Sequence, residues 1–240
     1  MNSYHGVRQV FFDLDGTLVD SFPGIEFSAR AAMAEVLPDR ASPDFRPFIG
    51  PPIREIFRRA LDRPDEPTLG RLEAAFRQSY DHEGWLRTTP YPGVRETLRQ
   101  LSGHGLTGHV LTNKPRPPTV RILQHLELVG FFAEIITPEF RSPPYATKLE
   151  AALDARRRLG LAGGDAVVVG DSPDDAAAAA GCGFGFVAVT FGYGGVHRQL
   201  TAPGGHAPPS IRPPGHVCID DFSQLFDHLA FHPVLPASPT

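Results

Sequence analysis

The chain has 240 residues, with 23 cationic and 27 acidic side chains and a formal net charge of −4. Hydrophobic residues make up 41% of it, which is enough to build a buried core of ordinary size and argues against intrinsic disorder. The near balance of charge excludes a broad basic surface, so we expect neither nucleic acid nor an anionic membrane as a partner.

The chain carries no sign of a targeting segment or a disulfide framework. No stretch reaches the roughly 18 apolar residues that a membrane span requires, and the first residues lack the pattern of a secretion signal. We therefore predict a cytoplasmic protein. Cys182 and Cys218 are the only cysteines, which excludes a set of disulfides and the repeated ligand spacing of a zinc finger.

Short apolar segments typical of buried strands alternate with segments of helical periodicity. The first predicted strand covers residues 7–12. Five more strands are predicted at 107–112, 134–137, 166–170, 186–190 and 217–219. Helices with apolar residues three and four positions apart are predicted at 93–104, 119–128 and 149–159. This alternation predicts an α/β fold with a Rossmann-like, mostly parallel sheet that is covered on both faces.

Residues 20–87 interrupt that alternation with helical patterns alone. Three apolar stripes of helical spacing cover residues 22–36, 53–60 and 69–80. A helical stretch of this length between the first two strands predicts a small α-helical domain inserted at a loop. We place this domain at 19–87 and the α/β core at 1–18 and 88–240. Within the core, 201–216 is predicted to be a Pro- and Gly-rich loop and 232–240 a frayed tail.

The first predicted strand is followed by the segment Asp13-Leu-Asp15-Gly16-Thr17. Side chains two positions apart on an extended chain face the same side, so both carboxylates point beyond the end of the strand. Open α/β sheets bind ligands there, and two adjacent carboxylates repel unless a cation separates them or one is protonated. Gly16 and Thr17 offer backbone amides and a hydroxyl suited to phosphate oxygens. The alternative is a solvated turn, because Asp and Gly are common turn residues.

A second acidic segment, Asp171-Ser-Pro-Asp174-Asp175, follows the predicted strand at 166–170. Its proline and the alanines behind it predict a helix that begins there. If the two strands are neighbours, Asp171 and Asp175 approach the first acidic pair. Acids at a helix N-terminus also favour the helix dipole, which accounts for Asp174 and Asp175 but not for Asp171. Hard oxygen ligands without His or Cys at metal spacing select Mg²⁺ rather than zinc.

Polar residues also follow the strand predicted at 107–112. Thr112 and Asn113 are suited to binding phosphate oxygens, although both residue types are also ordinary helix caps. Lys114 and Lys148 are the only lysines among the 23 cationic residues. Because arginine serves everywhere else, a retained lysine indicates a place that requires a compact ammonium group. We therefore predict that Lys148 neutralises charge gathered by the carboxylates and phosphate, rather than lying in solvent.

The order of these four segments resembles the four motifs of the haloacid dehalogenase (HAD) superfamily, with an insertion placed as in its helical-cap phosphatases. Three further segments are similar to phosphoglycolate phosphatase-like members: Ile49-Gly-Pro-Pro-Ile-Arg-Glu-Ile-Phe, Tyr91-Pro-Gly-Val and Phe191-Gly-Tyr-Gly. The resemblance covers residues 7–195 and implies an HAD-like core with a helical cap. Two features depart from it. The lysine of the third motif usually precedes proline, whereas Leu149 follows Lys148, and the segment 201–216 has no counterpart in the family pattern.

The resemblance implies a catalytic role for each acid. Asp13 would be the nucleophile that forms an aspartyl-phosphate. Asp15 would protonate the leaving alcohol and later deprotonate the hydrolytic water. Mg²⁺ would be held by the Asp13 side chain, the Asp15 backbone carbonyl and Asp171, with Asp175 beside or behind it.

The resemblance also implies the groups that bind the substrate. Thr112, Asn113 and Lys148 would hold the phosphoryl oxygens, where charge accumulates in the transition state. The cap would exclude water and select the organic part of the substrate through residues near 49–54. Within that segment Arg54 would meet a carboxylate or a second phosphate; the alternative is a solvated helix arginine.

These roles imply a Mg²⁺-dependent phosphomonoesterase for a small phosphorylated metabolite. Phosphoglycolate is the leading candidate, followed by nucleoside monophosphates, sugar phosphates and pyrophosphate. Asp15 argues against a hydrolytic dehalogenase of the superfamily, which lacks that acid and needs no metal. A phosphomutase keeps all four motifs and stays open, as does a catalytically silent binding protein; a phospho-accepting signalling domain would carry no helical insertion. We expect a monomer or a homodimer.

Overall fold

The computed structural model describes residues 4–201 and 208–230. Its centre is a sheet of six strands, all of whose neighbouring pairs are parallel. In chain order the strands are β1 (Gln9–Phe12), β2 (Thr107–Leu111), β3 (Phe132–Ile136), β4 (Ala166–Gly170), β5 (Gly185–Val189) and β6 (His216–Ile219). Their order across the sheet is β3-β2-β1-β4-β5-β6. The prediction of an α/β fold built on a parallel sheet is therefore confirmed.

Nine helices accompany the strands in the described part of the chain. They are α1 (Phe22–Val36), α2 (Ile53–Ala60), α3 (Glu66–His82), α4 (Val94–Gly103), α5 (Arg116–His125), α6 (Lys148–Arg158), α7 (Pro173–Cys182), α8 (Val196–Thr201) and α9 (Leu225–His228). The start predicted for α5 is three residues late. Two prolines occupy the first turn of this helix, where their missing N–H groups need no partner, so the helix begins before them.

Helices cover both faces of the sheet because alternate residues of a strand point in opposite directions. In β1, Val10 and Phe12 lie in an apolar cluster with residues of α4 and α5. Phe11 lies in a second cluster, on the other face, with alanines of α6 and α7. All three side chains are almost fully buried, and burial of an apolar side chain of this size stabilises the fold by about 1.5–3 kcal/mol. This packing holds β1 between the two layers of helices.

The helices α1, α2 and α3 share a third apolar cluster of their own. Phe57 lies at its centre and meets the rings of Phe45 and Phe76 edge to face. Two short strands lie in the connections between this cluster and the sheet. They are Val19–Asp20 and Thr89–Pro90, and they pair antiparallel. The domain boundaries at 18/19 and 87/88 stay a prediction.

The predicted loop at 201–216 is only partly described. A single 3-10 turn covers Pro209–Ile211 and β6 begins at His216, whereas residues 202–207 and the predicted tail lie outside the described residues. Across 4–201 and 208–230, no helix is both long enough and apolar enough to cross a bilayer.

Candidate active site

Three buried carboxylates meet at the carboxyl end of the sheet. Asp13 follows β1 and Asp171 follows β4, and these two strands are paired neighbours. Asp175 lies in the first turn of α7. One oxygen from each carboxylate lies within 4.8 Å of the others. The chain reverses its direction across the sheet between β1 and β4, and such a switch point is where open α/β sheets bind ligands.

Lys148 is the cation of this cluster. Its Nζ lies 2.8 Å from Asp13 Oδ1 and 2.6 Å from Asp175 Oδ1, and its side chain is only 3% exposed. The residue opens α6, whose N-terminus is capped by the Thr147 hydroxyl accepting from the Glu150 backbone N–H at 3.1 Å. Leu149 therefore does not prevent the lysine from reaching the carboxylates. One ammonium against three carboxylates leaves the cluster negatively charged.

The pKa values of the clustered acids show that keeping them ionised there costs free energy. Burial raises the pKa of Asp13 well above its usual range, and the charges of Asp175 and Asp171 raise it further, whereas Lys148 lowers it. Burial, followed by the charge of Asp175, raises the pKa of Asp171 to about 6. For Lys148, burial lowers the pKa, but the two neighbouring carboxylates outweigh it and the net shift is upward. A further cation at the acids would remove much of this cost.

The oxygens of the cluster differ in how many protein donors they have. Asp175 is fully engaged, by Lys148 at one oxygen and by the backbone N–H and hydroxyl of Ser172 at the other. Asp171 Oδ2 accepts from the backbone N–H groups of Tyr193 and Gly194 at 2.6 and 2.8 Å. Among the described residues, Asp13 Oδ2 and Asp171 Oδ1 have no hydrogen-bond donor. Two free carboxylate oxygens in an anionic, buried cluster fit a hard divalent cation such as Mg²⁺.

Asp15 lies outside the three-carboxylate cluster and pairs with Lys114. Both oxygens of Asp15 are 3.1 Å from Lys114 Nζ. The lysine side chain is 8% exposed, and its ammonium lies 4.9 Å from the ring centre of Tyr80 on α3. Burial lowers the pKa of Lys114, but the Asp15 carboxylate raises it above its usual value. No role for Lys114 was predicted, although the rarity of lysine singles it out. Its contact with Asp15 joins positions 99 apart in the chain.

We expect the Lys114–Asp15 pair to contribute measurably to stability. Lys114→Met should lower the free energy of unfolding by about 2 kcal/mol, because a largely buried carboxylate then loses its ionic partner. A double-mutant cycle with Asp15→Asn, followed by urea denaturation, isolates the pair and should give a coupling energy of about 1–2 kcal/mol. Additive effects of the two substitutions would contradict the pairing.

Gly16 and Thr17 lie in the turn after Asp15, and their roles toward a substrate stay predictions. The Gly16 N–H donates to Val19 O at 2.9 Å and the Thr17 N–H to Leu14 O at 3.3 Å, so both amides are used within the turn rather than left for phosphate. The Thr17 hydroxyl is buried and has no partner among the described residues. Gly16 instead allows a close approach: it has φ +84°, and a Cβ there would lie 2.4 Å from Asp171 Oδ2.

Thr112 and Asn113 follow β2, the other neighbour of β1. The Thr112 side chain is buried and its hydroxyl accepts from the Lys114 backbone N–H at 3.2 Å. Asn113 Nδ2 donates to Asp174 Oδ2 at 3.1 Å. Asp174 thus links the first turn of α7 to the end of β2, across the carboxyl end of β1. The roles of Thr112 and Asn113 toward a substrate stay predictions.

Arg54 lies on α2 and is engaged by acids of the inserted helices. Its guanidinium is 2.5 Å from Glu66 Oε2 and 3.0 Å from Glu73 Oε2. The side chain is 34% exposed, so these pairs are screened and weak. Contact with a substrate would require the guanidinium to leave them, and the predicted role of Arg54 stays a prediction.

Known proteins are similar to this chain in sequence and in architecture. The family described as haloacid dehalogenase-like hydrolase matches residues 10–189. A phosphoglycolate phosphatase of Yersinia pseudotuberculosis is 32% identical over 201 residues, covering 80% of this chain and 85% of that protein. One of Agrobacterium fabrum is 34% identical, covering 89% and 88%. Among solved structures, a predicted phosphatase from Clostridium acetobutylicum is similar with a TM-score of 0.75, 25% identity, and coverage of 93% of this chain and 99% of that chain.

Proposed function

The chain belongs to the haloacid dehalogenase-like hydrolase family, as its four motifs predicted, and we propose that it is a Mg²⁺-dependent phosphomonoesterase for a small phosphorylated metabolite. One observation carries the proposal. The Asp13 carboxylate lies 2.8 Å from Lys148 and within 4.8 Å of the oxygens of Asp171 and Asp175, in a buried position at the switch point of the sheet. Such a group is oriented and shielded from water, and a cation beside it would keep it anionic, as a nucleophile toward phosphorus must be.

The cation would be held by Asp13, Asp171 and the backbone carbonyl of Asp15, with Asp175 behind them. When bound, Mg²⁺ supplies charge that neutralises the phosphoryl oxygens and lets an anionic substrate approach an anionic nucleophile. Lys148 supplies a second positive charge from the protein, because its ammonium already contacts Asp13. The two charges together make a site for a transferring phosphoryl group.

The protein side chains would carry the bond changes in two steps. In the first, an Asp13 oxygen forms a bond to phosphorus while the bond from phosphorus to the alcohol oxygen breaks, and Asp15 gives that oxygen a proton. In the second, Asp15 takes a proton from a water molecule whose oxygen attacks the aspartyl-phosphate. Phosphate leaves and the Asp13 carboxylate is restored. Thr112, Asn113 and Lys148 would hold the phosphoryl oxygens.

The helices α1–α3 would act as a cap, within the predicted boundaries 19–87, and would select the substrate. Phosphoglycolate is the leading candidate, because the relatives of Yersinia pseudotuberculosis and Agrobacterium fabrum are named for that activity. Nucleoside monophosphates, sugar phosphates and pyrophosphate are the alternatives. A phosphomutase on the same scaffold would release an isomer of its substrate rather than free phosphate.

The proposal is tested by a phosphate-release screen of phosphorylated metabolites at fixed Mg²⁺, ranked by kcat/KM. We expect release from several small phosphomonoesters, the highest kcat/KM for phosphoglycolate, and no release after chelation of divalent cations. Absence of release from every compound would overturn the phosphatase proposal. Product identification by ³¹P NMR separates hydrolysis from transfer within one molecule.

We expect Mg²⁺ to stabilise the protein at neutral pH and to lose this effect in acid. Burial and the charge of Asp175 raise the folded-state pKa of Asp171 to about 6, above the usual value of an aspartate. The folded protein therefore binds a proton at a pH where the unfolded chain releases it. The cost of ionising Asp171 is present above about pH 6 and disappears as the pH falls, and the protonated carboxyl no longer binds a cation.

Melting temperatures measured with and without Mg²⁺ at several pH values check this expectation. At 100 times the dissociation constant, Mg²⁺ should add about 2.7 kcal/mol above pH 7 and little below pH 5. Asp171→Asn should remove the effect. Asp165→Asn is the matched control, because Asp165 immediately precedes β4 whereas Asp171 immediately follows it. An increase that is independent of pH would contradict a role for Asp171.

A further inference from the structure

The loop after β5 is fitted closely onto Asp171. The backbone N–H groups of Tyr193 and Gly194 both donate to Asp171 Oδ2. Gly192 and Gly194 approach so closely that a Cβ would lie 2.4 Å from the Asp171 side chain at Gly192 and 2.7 Å from the Asp171 carbonyl at Gly194. A displacement of the Asp171 carboxylate would therefore disturb this loop.

The side chain of Tyr193 reaches from this loop to the start of the cap. Its hydroxyl donates to Asp20 Oδ1 at 2.6 Å and accepts from the backbone N–H groups of Ser21 and Phe22 at 2.9 and 3.1 Å. A phenol has one donor and two lone pairs, so all of its hydrogen-bonding capacity is used here. The first N–H groups of a helix lack partners within the helix, and Tyr193 supplies an acceptor for two of them at the start of α1. The Phe22 N–H is shared, because it also donates to Asp20 Oδ1 at 3.1 Å, whereas the Ser21 N–H depends on the Tyr193 hydroxyl.

The same loop contacts the second connection to the cap. The Phe191 ring lies 4.6 Å from the ring of Tyr91, centre to centre. The Tyr91 N–H in turn donates to Leu18 O at 3.1 Å, which ties the two connections together. Residues 191–194 thus touch the Asp171 carboxylate on one side and both cap connections on the other.

We infer that Tyr193 is a positioning residue that couples cation binding at Asp171 to the restraint of the cap. A cation that fixes the Asp171 carboxylate also fixes the loop, through two hydrogen bonds to a charged acceptor. The phenol carries that restraint to Asp20 and to the first turn of α1. Coupling between two sites is reciprocal, so a freer connection must also change the affinity for the cation. The inference rests on the divalent cation of the proposed function.

Hydrogen exchange at the Ser21 and Phe22 amides tests the coupling without an activity assay. In the native protein, saturating Mg²⁺ should slow their exchange about fivefold or more. Tyr193→Phe keeps the ring and both backbone donors to Asp171 but lacks the hydroxyl. It should still bind Mg²⁺ in a calorimetric titration, yet show less than about a twofold slowing. Asp20→Asn, which weakens the acceptor of the same hydroxyl, should behave similarly and serves if Tyr193→Phe does not fold.

Tyr145→Phe is the matched control. It also removes a tyrosine hydroxyl that donates to a carboxylate, because Tyr145 donates to Asp154 Oδ2 at 2.7 Å. Tyr145, however, lies in the apolar cluster of α6 and α7. Its Mg²⁺-dependent slowing should equal that of the native protein. The inference would be overturned, and the proposed function left intact, if Mg²⁺ slowed amide exchange in Tyr193→Phe as much as in the native protein. The same holds if the native protein bound Mg²⁺ without any slowing of exchange. Failure of the native protein to bind Mg²⁺ would overturn the proposed function as well.

Discussion

Replacing Asp13 with Asn should lower phosphate release by at least about 10⁴-fold while the protein stays folded. The amide of Asn is nearly the same size as the carboxylate, but it is a poor nucleophile and a poor ligand for a divalent cation. Because burial and two neighbouring acids already raise the pKa of Asp13, losing its charge relieves repulsion. Lys148 keeps its contact with Asp175 at 2.6 Å. We therefore expect no loss of unfolding free energy in the metal-free protein.

A colorimetric phosphate assay measures the loss of phosphate release, and a urea titration of the same preparations measures the free energy of unfolding. Asp165→Asn controls for the chemical change, because it removes a carboxylate directly before β4 and outside the buried cluster. Equal phosphate release by Asp13→Asn and the native protein would exclude the aspartyl-phosphate route. Loss of release together with loss of folding would instead indicate a structural role for Asp13.

Local patterns in the sequence predict the fold and the three clustered acids, whereas Asp15 of the first acidic pair lies outside that cluster. Apolar runs predict strands, and acids directly after two such runs must come close together if the strands are neighbours. Asp13 and Asp171 obey this logic, since β1 and β4 pair. Asp175 follows from the helix that begins behind Asp171, and Lys148 from its rarity.

The contacts that the sequence did not predict all join distant parts of the chain. The Lys114–Asp15 pair spans 99 positions and the hydrogen bond from Tyr193 to Asp20 spans 173. The rarity of lysine singles out position 114, but nothing in either segment identifies the partner. The partners of the Gly16 and Thr17 amides could not be predicted for a different reason. A turn can spend its N–H groups on its own carbonyls, and only the backbone geometry shows that it does so here.

Lys148→Met should destabilise the metal-free protein by about 3–5 kcal/mol at neutral pH, because it leaves buried carboxylates without their ammonium partner. Lys148 lowers the pKa of Asp13 in the native protein, so its removal must raise that pKa further. The folded acids would then take up protons at a higher pH than the unfolded ones. The cost of their charge is present above the raised pKa and is lost as the pH falls, so the deficit should shrink toward about pH 5.

Mg²⁺ should also reduce the loss of unfolding free energy in Lys148→Met, since a divalent cation replaces the missing positive charge. Phosphate release should stay at least about 100-fold below that of the native protein, because the phosphoryl oxygens lose a donor. Urea titrations at two pH values, with and without Mg²⁺, separate these effects. Lys114→Met is the matched control: it removes the other buried lysine, whose partner Asp15 lies outside the three-carboxylate cluster. Its stability should respond to Mg²⁺ no more than that of the native protein. A Lys148→Met deficit that neither acid nor Mg²⁺ reduces would mean that the lysine stabilises the fold by packing rather than by its charge.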